Sequence, residues 1–376
     1  MPDLDQILPL WHELRETGSD YVLATVVEVE GSGYRKPGAR MLIAADGRRA
    51  GTVSGGCLEG EVARKAFWHT ENGPVVRRYS TSAEDGEVPF GMGCGGIVHL
   101  LLERSNTAGP VMEHLAANFV ERSPLAIATV LDGQWIGHRA FWPSERRDCN
   151  EQDEAIAGVL TQLACQGFEE RRSFSQAVHA EDGQIATVRV ECRAARPGLF
   201  IFGAGDDAIP LARHARQLGW YVAVADGRSH LVTRARFPEV HDLHLLPAVE
   251  FPRLEFKRTD AVAILTHSLE QDTRILGALL LKELAYIGVL GPRRRTDEIL
   301  LSLAQEFNLP ESQIGAQLET WMERLHAPMG LDLGGDTPAD IALAIIAEIQ
   351  QNRHRTSGLP LREIRARNAE WWRVTA

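Results

Sequence analysis

The chain has 376 residues, 44% hydrophobic and 24% charged, the balance of a folded protein with room for two cores rather than of a disordered one. Its 40 basic and 51 acidic side chains leave a net charge of −11, which repels nucleic-acid backbones and argues against nucleic acid as a partner. No apolar run approaches the roughly 20 residues of a membrane span. The start Met1-Pro2-Asp3-Leu4-Asp5 lacks the apolar stretch of a secretion signal, so no membrane association and a cytoplasmic location are expected.

Helices are expected over 3–16, 58–70, 109–121 and 151–166, and strands at 21–29, 40–44 and 97–102. Two further strands, 126–131 and 134–140, are joined by Asp132-Gly133, which reads as a hairpin turn. That pattern is an N-terminal α+β domain. Proline and glycine at Arg196-Pro197-Gly198 mark a boundary, giving expected domains of 1–195 and 196–376.

Beyond the boundary the pattern is that of an α/β domain with a parallel sheet: strand 199–202, helix 207–218, then strands 221–225, 261–265 and 286–290, with an apolar helix over 276–284. Thr337-Pro338 opens a last helix, in which Ile341, Ala344, Ile345 and Glu348 recur at helical spacing. The polar tail from Gln351 carries Trp371-Trp372 and reads as a docking helix or as an arm reaching a second copy of the chain in a homodimer.

Between the first strand and helix of that domain lies Gly203-Ala204-Gly205-Asp206-Asp207-Ala208, a G-x-G-x-x-A turn of the Rossmann-like kind. Gly203 permits the tight turn, Gly205 lets a phosphate approach the backbone, and Asp226 at the next strand end can accept from ribose hydroxyls. The alternative is a tight strand–helix turn that binds nothing. Asp206 and Asp207 oppose an anion at the helix start, and read instead as caps or as holders of a Mg²⁺. His267 falls at the carboxyl edge of the sheet, either pairing with Asp272 or orienting a neighbour, and His326 before Ala327-Pro328 suggests a loop role.

In the first domain, Gly31-Ser32-Gly33-Tyr34-Arg35-Lys36-Pro37-Gly38-Ala39-Arg40 brings Arg35, Lys36 and Arg40 into one loop, suited to an anion or simply solvated. Ser54-Gly55-Gly56-Cys57-Leu58-Glu59 sets a cysteine at a helix start, where the dipole favours the thiolate, and Glu59 either caps that helix or handles a proton. Gly91-Met92-Gly93-Cys94-Gly95-Gly96 flanks a second cysteine with glycines that leave its thiol approachable. Together Cys57 and Cys94 point to a soft-ligand or sulfur-handling site. Cys149, Cys165 and Cys192 lack such surroundings, and no CxxC pattern suggests structural zinc.

These segments resemble the XdhC/CoxI family. GSGYRKPGARM, SGGCLEGEV and GMGCGG are similar to its N-terminal domain. FIFGAGDDAIPLA, VADGR, Thr266-His267-Ser268 and the run from His326 to Asp332 are similar to its Rossmann domain. The chain departs from the family pattern at Asp206, where many members of the family it resembles carry histidine. The resemblance implies a maturation factor without turnover of its own. Such a factor binds the molybdenum cofactor, supports its sulfuration with a cysteine desulfurase and delivers it to a molybdenum hydroxylase such as xanthine dehydrogenase. It makes Cys57, Cys94 and Glu59 candidates for sulfur and cofactor handling, with Gly55, Gly56, Gly93 and Gly95 beside them. Arg35, Lys36 and Arg40 become candidates for the cofactor's phosphate, and Gly203, Gly205, Asp206, Asp226 and His267 for a nucleotide. From the residues alone, two other classes stay open. One is a nicotinamide-dependent oxidoreductase, the other a metal-dependent nucleotidyl transferase or hydrolase using Asp206 and Asp207.

Overall fold

The computed structural model describes residues 2–31, 35–56, 58–80, 96–143, 147–148, 154–180 and 183–367. The chain divides into two compact units, Met1–Arg196 and Pro197–Ala376.

The first unit runs α1 (Pro2–Glu16), β1 (Tyr21–Glu30), β2 (Arg40–Ala44), β3 (Arg49–Gly51), α2 (Glu59–His69), β4 (Val75–Ser80), β5 (Ile97–Arg104) and α3 (Ser105–Glu121). It continues with β6 (Leu125–Val130), β7 (Arg139–Trp142), β8 (Arg147–Asp148), α4 (Glu154–Glu169), β9 (Phe174–His179) and β10 (Ile185–Arg193). Two five-stranded sheets result, ordered β3-β2-β1-β5-β4 and β8-β7-β6-β10-β9, with antiparallel pairing throughout.

Period-two alternation explains why β1 is buried on both faces. Tyr21 and Leu23 pack with Leu4, Ile7, Leu8 and Trp11 of α1 and with Val111, Met112 and Leu115 of α3. Val22, Ala24 and Val26 pack on the other side with Leu58 and with Val62 and Ala66 of α2. The same α1–α3 core takes in Leu125, Ile127 and Phe141 of the second sheet, whose Ala128 and Val130 pack with Ile156, Leu160 and Leu163 of α4.

Asp132-Gly133 does not make the expected two-residue hairpin turn. Strands β6 and β7 do pair, but residues 133–135 form a 3₁₀ turn that buries Trp135, and β7 starts only at Arg139. Asp132 instead accepts the backbone N–H of Thr187 on β10 at 2.8 Å. A tertiary bond stands where a local one was expected.

The second unit is a Rossmann-like α/β domain: β11 (Gly198–Phe202), α5 (Ala208–Gln217), β12 (Tyr221–Asp226), β13 (Asp242–Leu245), β14 (Ala261–Ile264), α6 (Leu269–Leu279), β15 (Tyr286–Val289), α7 (Arg293–Glu306), α8 (Glu311–Glu323), α9 (Pro338–His354) and α10 (Leu361–Arg367). Its sheet, β13-β12-β11-β14-β15, is parallel throughout, and its strands are short apolar runs because both faces are covered. Leu199, Ile201, Val222 and Val224 face α5 and α9, whereas Phe200, Phe202, Val262 and Ile264 face α6, α7 and α8.

The helix expected over 276–284 begins seven residues earlier, where Ser268 caps α6 by accepting the Gln271 N–H. Apolar residues locate the buried face and leave the cap out of view. At α9 the cap is legible: Thr337 and Asp340 form a reciprocal capping box, while the buried face is Ala342, Ile345, Ile346 and Ile349, with Ile341, Ala344 and Glu348 beside it. No helix among the described residues is long and apolar enough to cross a membrane.

Candidate functional site

Strand register determines which way the loops of the first sheet leave it. Glu30 of β1 and Ser80 of β4 both pair with Ile97 of β5, while Arg40 opens β2 and Gly51 closes β3 beside Met41. These strand ends point the same way, so the segments 31–39, 52–58 and 81–96, the three glycine-bearing loops of the sequence, leave the sheet in one direction; along β1, however, Arg40 stands opposite Thr25, five positions short of Glu30. Cys57, Gly93, Cys94 and Gly95 themselves lie outside the described residues, as do Ser32, Gly33 and Tyr34.

The loop before α2 is organised by Glu59. Its carboxylate accepts the backbone N–H groups of Val53 (3.1 Å), Ser54 (2.9 Å), Gly55 (3.1 Å) and Gly56 (2.9 Å). It also accepts the hydroxyls of Ser54 (2.7 Å) and Thr52. Ser54 in turn accepts the Leu58 N–H at 3.0 Å, so both neighbours of Cys57 are fixed. Gly55 and Gly56 hold φ of +121° and +119°, which side chains rarely adopt, and this is why two glycines stand there. Burial would raise the Glu59 carboxyl, but these donors outweigh it and hold it well below the usual carboxylate range. Of its two expected roles, Glu59 has the geometry of a loop anchor, with both oxygens occupied.

The basic loop divides. Lys36 is exposed and Arg35 half-buried, but Arg40 is 4% exposed. The Arg40 guanidinium donates to both Glu191 oxygens, at 3.1 and 2.6 Å, and to the Gly38 carbonyl at 2.8 Å. Arg193 donates to the same carboxylate at 2.7 Å. Burial favours the neutral Glu191, yet Arg40 and Arg193 prevail and bring it down to about 2. Arg40, expected to offer charge to an anion, is neutralised inside the domain by a partner far along the chain.

A feature that no motif in the sequence reveals lies alongside. Glu61, Lys65 and His69 of α2 and residues 76–80 of β4 line a cleft of about 470 Å³. Helix–strand packing brings these residues together, so no short stretch of sequence announces it.

Cys165 and Cys192 are free and partly buried. Burial, with Glu169 beside Cys165 and Glu191 near Cys192, pushes both thiols up, and so neither is an activated thiolate.

In the second unit, the glycine-rich turn sits at the carboxyl edge of the parallel sheet, where open α/β folds bind ligands. Gly203 has φ +109°, and a Cβ there would lie 2.3 Å from the Leu265 carbonyl oxygen, so the backbone demands glycine whether or not a ligand binds. Gly205 is different: a Cβ would meet only the His267 ring, at 3.8 Å. Asp226 is 4% exposed and accepts the Ala204 N–H (2.8 Å) together with the backbone, Nε and Nη2 of Arg228 (2.9, 2.9 and 2.7 Å). It ties the turn to β12.

Asp206 pairs with Arg236 at 2.8 Å, and Asp207, at the helix cap, makes no capping bond. The expected capping role is therefore not taken by Asp207. Nor does His267 pair with Asp272. His267 adopts φ +62° and faces Asp207 at 3.4 Å, whereas buried Asp272 accepts from Thr266 and from Arg295 (2.7 Å). His326 stacks on Tyr286 and its Nδ1 lies 3.1 Å from Glu348, which also accepts from the Tyr286 hydroxyl and the Gly330 N–H. That network fastens the loop after α8 to α9. Among the described residues no group of three or more His, Cys, Asp or Glu is arranged to hold a metal ion.

Residues 199–349 match the XdhC Rossmann domain, and residues 14–80 match the XdhC and CoxI family. A Bacillus subtilis protein described as a probable xanthine dehydrogenase component is 30% identical over 355 residues, which cover 92% of this chain and 96% of that one. The chain is 32% identical over 120 residues to "Molybdenum cofactor insertion chaperone PaoD" of Escherichia coli, 30% of this chain and 34% of that one. A crystal structure of a Bacillus halodurans protein described as a xanthine dehydrogenase superposes with a TM-score of 0.70 at 28% identity, covering 94% of this chain and 97% of its own. With a relative matched over nearly its whole length and both characteristic domains present in order, the chain belongs to the XdhC/CoxI family.

Proposed function

We propose that this chain is a maturation factor that binds the molybdenum cofactor as cargo, supports its sulfuration with a cysteine desulfurase, and delivers it to a molybdenum hydroxylase of the xanthine dehydrogenase type. The observation that carries the reading is the direction in which the strands of the first sheet end: the segments containing Cys57 and Cys94, each flanked by glycine in sequence, leave the sheet the same way. Two approachable thiolates suit a soft, oxidation-prone metal with sulfur ligands. An open loop end also suits a carrier that must release what it holds. The similarity to a protein named as a molybdenum cofactor insertion chaperone supports the same role.

In this reading Glu59 is a positioning residue that holds the residues on either side of Cys57. The carboxyl edge of the second unit, at Gly205, takes a nucleotide ligand. Anaerobic titration of the purified protein with molybdenum cofactor tests the proposal. Cys57→Ala and Cys94→Ala are each expected to weaken binding at least about tenfold, the loss of roughly 1.4 kcal/mol. Wild-type affinity in both variants would remove the sulfur-handling role.

A further inference from the structure

The chain carries a net charge of −11, yet the cleft between α2 and β4 has the opposite character. Among the described residues, Lys65 enters from the helix and Arg77 from the strand face turned to it, against one carboxylate, Glu61. That carboxylate already faces Lys65 at 2.8 Å and Arg64 at 4.0 Å. Tyr79 and Ser80 complete the lining towards the end of the sheet. Arg77 and Arg78 are exposed despite lying mid-strand, because β4 is the edge of its sheet. The volume, about 470 Å³, is that of a small-molecule site rather than of a single trapped water.

His69 closes one side. Its Nδ1 is buried and makes no hydrogen bond within the described residues. Its ring lies beside the lysine and arginine side chains of the cleft.

We propose that this cleft binds the phosphate end of a phosphorylated small molecule, with Lys65 and Arg77 supplying the charge and His69 beside them sensing it. The assignment of that ligand to the molybdenum cofactor rests on the proposed maturation role; the phosphate site itself does not.

His69 is a built-in reporter. Burial, then the charges of Arg77 and Lys65, hold its imidazole below the ordinary value. A bound anion neutralises that field, so inorganic pyrophosphate should raise the His69 titration midpoint by about one pH unit. The shift is followed by ring-proton NMR, with His69→Gln identifying the signal. Lys65→Gln/Arg77→Gln should start from a higher midpoint and lose the response, and Arg77→Gln alone should show a reduced one. An unmoved His69 in the wild type, or an equal response in the double variant, overturns the proposal.

Titration with molybdenum cofactor separates the two proposals. If Cys57→Ala abolishes cofactor binding while pyrophosphate still shifts His69, both sites stand. If pyrophosphate shifts His69 and the wild type takes no cofactor, the phosphate site stands and the cargo reading fails. Wild-type cofactor affinity in the double variant would overturn the cleft as the cofactor's phosphate anchor.

Discussion

Glu59→Gln is the sharpest perturbation of the loop around Cys57. The amide keeps the shape of the carboxylate but turns one acceptor oxygen into a donor. With its NH₂ in the place of Oε2, it meets the Gly56 N–H, which loses its 2.9 Å acceptor, while the Ser54 hydroxyl must turn away. The N–H groups of Val53, Ser54 and Gly55 keep an acceptor, now without its charge. One orphaned, partly buried donor costs about 1–3 kcal/mol, and the remaining bonds weaken from charge-assisted to neutral strength. A local loss of about 3 kcal/mol follows, equivalent to roughly a hundredfold.

Amide hydrogen exchange measures it directly. Val53 through Gly56 should exchange about a hundredfold faster in the variant, a figure set by that same local free energy. The central amides of β1 and β5 should not change. The pH dependence has a definite sign. The folded-state carboxyl is held below its ordinary value, so its contribution is complete above the usual carboxylate range and is lost progressively as pH falls from that range to the depressed folded-state value. Unchanged exchange of 53–56 in Glu59→Gln would refute the anchor. Uniform acceleration across the sheet would show instead that Glu59 supports the whole unit.

Two other predictions concern buried partners. Arg40→Met leaves the Glu191 carboxylate to Arg193, at a cost of about 3 kcal/mol read from the urea midpoint. Because Glu191 sits at about 2 against an ordinary 4.5, wild-type stability should decline as pH falls through that window, and the variant, with Glu191 nearer its ordinary value, should decline less across it; equal slopes would refute it. In the second unit, Gly203→Ala meets the Leu265 carbonyl at 2.3 Å with φ +109° and should lose at least about 3 kcal/mol, whereas Gly205→Ala should stay within about 0.5 kcal/mol in thermal melts. Equal losses would show that the motif's two glycines serve one structural purpose.

Those two glycines show where a sequence is legible. G-x-G-x-x-A after an apolar strand identifies the turn, because strand, turn and helix are contiguous and their chemistry is local. The capping box at Thr337 and Asp340 is readable for the same reason. The expectations that the structure changes involve partners far along the chain. Arg40 is recognisable as a cation, but Glu191, 151 positions away, decides that it is buried. Asp272 stands five residues after His267 and still bonds Thr266 and Arg295, because α6 begins at Leu269 and turns the carboxylate towards α7. Strand β4 is hard to read because Arg77 and Arg78 interrupt its apolar alternation at a sheet edge. The same interruption makes it one wall of the cleft.

The hydrogen bonds of Glu59 also bear on how an anion is held at this end of the first unit. A glycine-rich loop before a helix suggests a phosphate cradle built from backbone N–H groups. Here four consecutive N–H groups, from Val53 to Gly56, already point at a carboxylate of the chain itself. The site at which a phosphate would sit is occupied by Glu59, and the glycines are explained by their positive φ. An incoming anion must therefore be met by side chains. With Arg40 neutralised by Glu191, the side chains proposed for that task are Arg35 and Lys36 of the first loop and Lys65 and Arg77 of the cleft. Gly55 and Gly56 shape the loop that carries Cys57, and in the proposed reading charge recognition falls to side chains, not to glycine N–H groups.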